Sequence, residues 1–282
     1  MYQIVAEREL APNIKQFRIN APLIAKKCMP GQFIVLRTNE KGERIPLTVF
    51  EKDPEEGTIT IIFQEVGKTT KELGRLRTGE AIQDVVGPLG TPSEIRNYGQ
   101  VVAIAGGTAA AVAYPEIKAL KLVGNKLITI LGARSKDLLI LEEEMRKYSD
   151  ELYITTDDGS KGHHGFVTDV LKKLVADGKK IDMVLAIGPA IMMKVASEIT
   201  RPFNIRTIVS VNPIMLDATG MCGVCRVRVN NEMKLGCVDG PEFDGHLVDF
   251  DQLMARQNMY TEKEKESLHA YEAKMKGAGY WS

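Results

Sequence analysis

The sequence has little cysteine and no excess of either charge. Four of its 282 residues are cysteine, and Lys plus Arg equals Asp plus Glu at 37 each. A balanced charge gives no indication of a nucleic-acid partner or of binding to an anionic membrane. Three of the four cysteines lie close together, which is a poor disulfide framework and fits a reducing compartment. We therefore expect a cytoplasmic protein.

Long apolar segments are also missing. No apolar run reaches the roughly 18 residues of a transmembrane helix. The opening residues, MYQIVAERELAPNIKQFRI, alternate as in a strand and contain no apolar signal-peptide core. We therefore expect no membrane contact. The chain is long enough for two compact domains, each with its own core.

The first 97 residues predict antiparallel β-structure. Short β-rich runs, separated by Gly and Pro, occur at 2–9, 14–19, 32–38, 45–51, 58–65 and 81–87. Only 69–76 has a helical pattern. Six evenly spaced strands with one short helix predict a small Greek-key barrel, which forms a domain over 1–97.

From residue 98 the pattern changes to alternating strands and helices. Apolar strands are predicted at 101–105, 126–131, 151–156, 183–187 and 207–211, with helices at 109–122, 137–147, 165–176 and 190–199. This order is typical of βαβ units and predicts a five-stranded parallel sheet, in a domain over 98–210. Such sheets bind ligands beyond the carboxyl ends of their strands.

A metal-binding pattern follows the predicted sheet. Asp217, Cys222, Cys225 and Cys237 form D-x4-C-x2-C-x11-C. Plant-type 2Fe-2S sites use C-x4-C-x2-C and a distant fourth Cys, so Asp stands at the first ligand position here. A carboxylate can bind iron through oxygen, although thiolate is the softer partner. A structural zinc site of three Cys and one Asp, or three unrelated thiols, are the alternatives. We assign 211–250 to this region and 251–282 to a C-terminal helical tail.

Three predicted strand ends carry residues suited to a nucleotide. Each also has a purely structural interpretation, because a Gly-Gly or Gly-Pro turn is weak evidence alone and an arginine can simply cap the chain. The candidate residues are Gly106, Gly107, Thr108, Arg134, Gly188 and Pro189. At the start of a helix, Gly-Gly-Thr would let a pyrophosphate approach backbone N–H groups.

The predicted barrel carries a second set of candidates. Arg44 precedes Pro46, Leu47 and Thr48 at the start of a strand, where a guanidinium can pair with a pyrophosphate. Gly67, Thr69 and Thr70 open the short helix and offer N–H groups and hydroxyls to a phosphate. Singly, such residues are more often surface charges or turns. Together, on a barrel before a parallel sheet, they favour FAD.

These motifs resemble the ferredoxin-NADP reductase superfamily. The resemblance lies in RIPLT, the GKTT turn, GPLG at 87–90, the Gly-Gly turn after VVAIA and the Gly-Pro after MVLAI. A barrel, a nucleotide sheet and then a 2Fe-2S loop resemble the electron-transfer subunit of dihydroorotate dehydrogenase and its relatives. GARSKDLLILEEEM, DDGSKGHHGFVTDVL and NPIMLDATGMCGVCRV are most similar to one branch. That branch comprises the small subunits of NADH-dependent reduced ferredoxin:NADP oxidoreductase, also described as sulfide dehydrogenase beta subunits.

The resemblance implies an oxidoreductase subunit that exchanges hydride between NAD(H) and FAD. Single electrons would then pass through the 2Fe-2S cluster to a larger partner that carries flavin and 4Fe-4S clusters and uses NADPH and ferredoxin. Hydride transfer to a flavin needs no protein acid or base, so we expect no catalytic side chain. Alternatives are the electron-transfer subunit of a dihydroorotate dehydrogenase and a sulfide or polysulfide oxidoreductase subunit. A nucleotide-binding regulatory subunit with structural zinc is the alternative of another class.

Three other features have structural interpretations. His163 and His164 lack Cys or carboxylate neighbours at ligand spacing, so we do not predict a metal there. Cys28 is expected to be a small buried residue. The tail after Phe250 mixes apolar residues with many charges, and we favour contact with a partner over contact with the body of the protein.

Overall fold

In the computed structural model, residues 1–277 are described. The N-terminal part contains eight strands and two short helices. The strands are β1 (Tyr2–Ala11), β2 (Ile14–Asn20), β3 (Phe33–Arg37), β4 (Arg44–Thr48), β5 (Glu51–Asp53), β6 (Thr58–Gln64), β7 (Ala81–Ile82) and β8 (Asp84–Leu89). The helices are α1 (Pro22–Lys27) and α2 (Lys68–Leu73). All strand pairs here are antiparallel, in sheets ordered β5-β6-β2-β1-β7 and β4-β3-β8.

The barrel prediction is confirmed, with differences in detail. The predicted strand at 45–51 is divided into β4 and β5, and the one at 81–87 into β7 and β8. The prediction of a single helix was wrong, because α1 is a second one. Six residues are too few to show a helical period, so α1 left little signal in the sequence. The barrel core contains Phe17 and Phe63, whose rings meet edge to face at 5.1 Å.

The middle of the chain forms an α/β sheet. Its strands are β9 (Gln100–Gly106), β10 (Lys126–Ala133), β11 (Glu151–Thr156), β12 (His163–His164), β13 (Met183–Ile187) and β14 (Arg206–Ser210). The helices are α3 (Ala110–Leu122), α4 (Glu142–Lys147), α5 (Val167–Ala176) and α6 (Ala190–Thr200). The predicted helix at 137–147 is interrupted because Leu141 has a left-handed φ of 62° before α4.

The sheet contains the five predicted parallel strands and two short additional ones. Its order is β12-β11-β10-β9-β13-β14-β17, where β17 (Glu242–Asp244) pairs antiparallel with β14. The strands β9, β10 and β13 are buried on both faces. Such strands give continuous apolar runs, which is why the sequence located them well. The strand order brings the carboxyl ends of β9 and β13 side by side.

The last part of the chain adds a hairpin and two helices. The hairpin joins β15 (Arg226–Val229) to β16 (Glu232–Leu235), and α7 (Phe250–Gln257) precedes α8 (Thr261–Gly277). In the hairpin turn, Asn230 and Asn231 both have positive φ, which is the requirement of a type I′ turn. The predicted tail reaches residue 282, and its residues 278–282 lie outside the described part. The tail helix α8 lies against α2 of the barrel, where Lys71 Nζ is 2.5 Å from Glu272 Oε1. It thus contacts the body of the protein.

In the described residues, no helix is long and apolar enough to cross a membrane.

Candidate functional site

A central cleft separates the barrel from the carboxyl ends of the sheet strands. It has a volume of about 710 Å³. The barrel contributes Phe33, Pro46, Leu47, Thr48 and Thr70, and the sheet contributes Gly106, Thr108, Gly188 and Pro189. Apart from Phe33, all of these residues were predicted, and the two groups, distant in sequence, therefore face each other across one space.

Three barrel candidates lie beside the cleft and do not line it. Arg44 is exposed at the start of β4, opposite Arg37 of β3. Gly67 caps α2, and Thr69 donates its hydroxyl to Glu43 Oε2 at 2.7 Å. This bond, more than the nearby ammonium of Lys68, lowers the pKa of the Glu43 carboxyl. The Glu43 carboxylate thus already accepts a hydrogen bond from one hydroxyl at the start of α2, that of Thr69.

A second pocket of about 600 Å³ adjoins the central cleft, and Gly106, Thr108 and Pro189 line both. The adjoining pocket also contains Gly107 and Arg134, so all the nucleotide candidates are brought together except Gly188, which lies in the cleft. Asp157 and Phe166 line the same pocket. Neither residue was predicted from the sequence, although each lies in or next to the Gly-rich loop after β11, where ligand-binding residues are expected.

The four predicted metal ligands lie in two pairs. The Sγ atoms of Cys225 and Cys237 are 3.2 Å apart. Asp217 Oδ2 accepts the backbone N–H of Cys222 at 3.1 Å, and the Cys222 side chain also donates to this carboxylate. Within residues 1–277, no three His, Cys, Asp or Glu side chains converge as a single metal ion would need. Tetrahedral zinc requires four donors around one ion, whereas a two-iron cluster divides its donors between two irons.

The hairpin explains how Cys225 and Cys237 meet. Arg226 pairs with Leu235, and Gly236 donates its N–H to the carbonyl of Cys225 at 3.0 Å. Cys225, just before β15, and Cys237, just after β16, are therefore held together at the open end of the hairpin. Burial raises the pKa of the Cys237 thiol to about 12, and the neighbouring Cys225 acts in the same direction. Without a cation, forming a thiolate at this buried position is unfavourable, and a bound metal cation would offset that cost.

Asp217 is held in a tight turn. Its Oδ1 accepts the Thr219 hydroxyl and, at 3.1 Å, the Thr219 backbone N–H. The Thr219 hydroxyl bond and then the Cys222 side chain lower the pKa of Asp217 to about 2, so the carboxylate is ionised at neutral pH. Gly220 and Gly223 have φ of 90° and 63°, which glycine adopts without strain. The same contacts are also expected if Asp217 only caps the turn and does not bind a metal.

The segment that contains the four predicted metal ligands, residues 217–237, is called the ligand loop, and it shares a wall with the central cleft. Phe33 and Met215 line the cleft, and the same two side chains pack against Cys225 and Cys237 in one buried cluster. Gln257 of α7 also reaches the cleft, where its amide donates to Asn212 Oδ1 at 2.8 Å. No local motif marked Gln257, because only folding brings it there.

The other candidates have no part in this site. His163 and His164 are exposed and form β12 at the edge of the sheet. Cys28 is buried in the barrel core as expected, and burial raises its pKa to about 11.

Comparisons with known proteins agree with this arrangement. The family described as the iron-sulfur cluster binding domain of dihydroorotate dehydrogenase B matches residues 212–249. A Thermotoga maritima protein, a homologue of the dihydroorotate dehydrogenase B (NAD(+)) electron transfer subunit, is 50% identical over 277 residues, which cover 98% of this chain and 96% of that protein.

Solved structures show the same fold. A structure of NADH-dependent reduced ferredoxin-NADP oxidoreductase superposes with a TM-score of 0.91 at 49% identity, and the match covers 96% of this chain and 98% of the other. An Amycolatopsis cytochrome P450 reductase, at 17% identity and a TM-score of 0.62, covers 72% of this chain and 66% of its own, and it shares the fold alone. The chain belongs to the family of dihydroorotate dehydrogenase B electron-transfer subunits and their homologues.

Proposed function

We propose that this chain is the flavin and iron-sulfur electron-transfer subunit of an oxidoreductase, and that it connects NAD(H), FAD and a 2Fe-2S cluster. The proposal rests on the wall that Phe33 and Met215 form between the central cleft and the ligand loop. These side chains separate the central cleft from Cys225 and Cys237, so a flavin and a cluster would lie on opposite sides of one buried layer.

The barrel side of the cleft suits FAD. FAD, when bound, supplies the conversion of a two-electron hydride into single electrons that an iron-sulfur cluster accepts. Pro46, Leu47 and Thr48 form a wall against which its ring system would lie. The donors at the start of α2 suit an anion, because the Thr69 hydroxyl already donates to the Glu43 carboxylate. Together with Arg44, Gly67 and Thr70, they would hold the phosphates.

The sheet side suits the nicotinamide nucleotide. Gly106, Gly107 and Thr108 open the turn before α3, and Gly188 with Pro189 borders the cleft where a nicotinamide would meet the flavin. Arg134 lies further out in the adjoining pocket. The chain's residues bind and orient the two ring systems and exclude water, and no catalytic side chain is assigned.

The ligand loop suits a 2Fe-2S cluster better than zinc, because its donors form two pairs. Asp217 and Cys222 would hold one iron, and Cys225 and Cys237 the other.

A partner subunit would dock around this loop. Met221 is 89% exposed, and Leu216 and Val238, which flank the four predicted ligands in sequence, are about half exposed. Exposed apolar residues at a redox site are typical of an interface. We infer a larger subunit with its own flavin and 4Fe-4S clusters, which reacts with NADPH and ferredoxin and bifurcates electrons. Four free thiols fit a cytoplasmic location.

A dihydroorotate dehydrogenase partner is the second candidate, since relatives are described by that activity. Asp217 argues against it, because the plant-type 2Fe-2S pattern that the resemblance implies for that branch has Cys at this position. Isolation of the native complex and identification of its larger subunit decides between the two, and assay with polysulfide tests the sulfide alternative.

Anaerobic purification tests the proposal directly. We expect a yellow-brown protein with one FAD, two irons and two sulfides per chain, whose flavin is bleached by NADH. A colourless protein that contains zinc would contradict the proposal and support the regulatory alternative.

A further inference from the structure

Arg256 carries a buried N–H group with no hydrogen-bond partner next to the ligand loop. It lies near the end of α7, which is anchored in the core by Phe250 and Leu253. Its Nη2 donates to the carbonyl of Val224 at 2.9 Å, between Cys222 and Cys225. Its Nε is buried and unpaired among residues 1–277. Buried donors are almost always paired, so an unpaired one points to a missing acceptor.

The surroundings of Arg256 identify the kind of acceptor. Arg256 lines a small cavity of about 130 Å³ together with Cys222, Gly223 and Val224. Among residues 1–277, Arg226 is the only other charged side chain that lines this cavity, and no carboxylate lines it. The cavity is therefore positive and borders a predicted iron ligand. The acceptor that fits is an anionic sulfur, from a thiolate or from the cluster.

We propose that Arg256 is a positioning residue for the 2Fe-2S cluster, which holds the Cys222–Cys225 turn through Val224 and offers an N–H group and a positive charge to the cluster. This inference rests on the proposed function. Reduction adds an electron, so a nearby cation and N–H···S bonds stabilise the reduced state more than the oxidised one. Arg256 thereby raises the reduction potential of the cluster.

Two substitutions separate this role from a merely structural one. Arg256→Gln removes the charge but keeps an amide that can donate to the Val224 carbonyl. Arg256→Lys keeps the charge and loses the planar fork. Arg228→Gln is the matched control, because Arg228 is an arginine of the adjacent hairpin that does not line the cavity and lies 3.9 Å from Asp249.

The experiment uses the anaerobically purified holoprotein. Iron and sulfide content and the electron paramagnetic resonance signal establish that the cluster is present, and a redox titration followed by that signal gives the midpoint potential. We expect Arg256→Gln to keep its cluster with a potential lower by about 59 mV or more, which is a tenfold change in the oxidised-to-reduced ratio for one electron. The midpoint potential of Arg256→Lys should lie between those of the wild type and Arg256→Gln, and that of Arg228→Gln should match the wild type.

Several results would overturn the proposal. A full cluster at the wild-type potential in Arg256→Gln excludes any tuning by Arg256. If Arg256→Gln loses the cluster, Arg256→Lys decides: an intact cluster with a lowered potential supports the proposal, and an unchanged potential or loss of the cluster in this variant also contradicts it. Wild-type protein without iron and sulfide would instead refute the proposed function, so the two failures are distinct.

Discussion

Cys225 and Cys237 hold their Sγ atoms 3.2 Å apart, although twelve positions separate them in the chain. The β15–β16 hairpin produces this approach, since its turn at Asn230 and Asn231 fixes the register of the strands. The second pair of predicted ligands, Asp217 and Cys222, depends on a local turn instead. Because the hairpin holds Cys225 and Cys237 and only a local turn holds Asp217 and Cys222, we expect mutations near the two pairs to affect the cluster differently.

Asp217→Ala should lose or destabilise the cluster, because a ligand oxygen is removed from the turn-held pair. Asp217→Cys should keep a cluster with a changed potential, since thiolate is a softer donor than carboxylate. Iron content and electron paramagnetic resonance of the reduced protein measure both. Thr219→Ala, which removes only the hydroxyl bonded to Asp217, should retain the cluster. An unchanged signal in Asp217→Ala would leave the carboxylate only its role as a turn cap.

Arg44→Ala should weaken FAD binding by about 1.5–3 kcal/mol, the usual range for a hydrogen bond to a charged group. Flavin content after extensive dialysis measures the loss. Arg18→Ala is the control, because Arg18 pairs with Glu56 and lies on β2, which contributes no residue to the lining of the central cleft. Full flavin retention in Arg44→Ala would show that Arg44 does not contact the phosphates.

The wild-type flavin should be reduced faster by NADH than by NADPH, because Asp157 lines the adjoining pocket with Arg134 and would repel a 2′-phosphate. Asp157→Asn should improve the relative rate with NADPH roughly tenfold, about 1.4 kcal/mol. Stopped-flow flavin reduction measures both rates. Asp158→Asn serves as control, since that carboxylate binds Ser160 and does not line the pocket. A wild-type preference for NADPH would refute this assignment.

Stability should fall as the pH rises above about 4.5, because of Glu116. Burial, and then the facing carboxyl of Glu242, raise the pKa of Glu116 well above its ordinary range. Between the unfolded and folded pKa values the native state binds more protons, so unfolding free energy decreases by up to about 1.4 kcal/mol per pH unit. Ser93, which donates to Glu242 at 2.7 Å, also faces the pair, and Glu94, Arg206 and Asp244 line the same cavity.

Glu116→Gln should flatten this slope, because an amide does not titrate. Denaturant unfolding between pH 5 and 8 measures it. Glu94→Gln is a control on an exposed glutamate that pairs with Arg206. An equal slope in wild type and Glu116→Gln would locate the pH dependence elsewhere.

Tyr271→Ala should loosen the tail helix from the barrel. Tyr271 is the buried side chain of α8, and the loss of that burial costs about 1.5–3 kcal/mol. Limited proteolysis should then cleave the tail faster, whereas Tyr260→Ala, at a 43% exposed position, should have little effect. Equal protection of all three proteins would mean that Tyr271 does not hold α8 on α2.

Local sequence signals were sufficient for the framework. The strands β9, β10 and β13 gave continuous apolar runs, and the short-range spacing of Asp217, Cys222 and Cys225 predicted the ligand loop. Both depend on interactions between residues close in the chain, which periodicity and spacing record. The short helix α1 and the left-handed Leu141 were missed, because single turns leave no period.

Only the tertiary structure decided how the parts combine. It placed Phe33 of the barrel between the cleft and the cysteine pair, brought Gln257 and Arg256 of α7 to the cleft and the ligand loop, and laid α8 on the barrel. These contacts join residues far apart in sequence through buried surfaces that no local pattern records. The kinds of cofactor could therefore be predicted from the sequence. Which buried side chains and charges surround the cofactor sites was decided by folding.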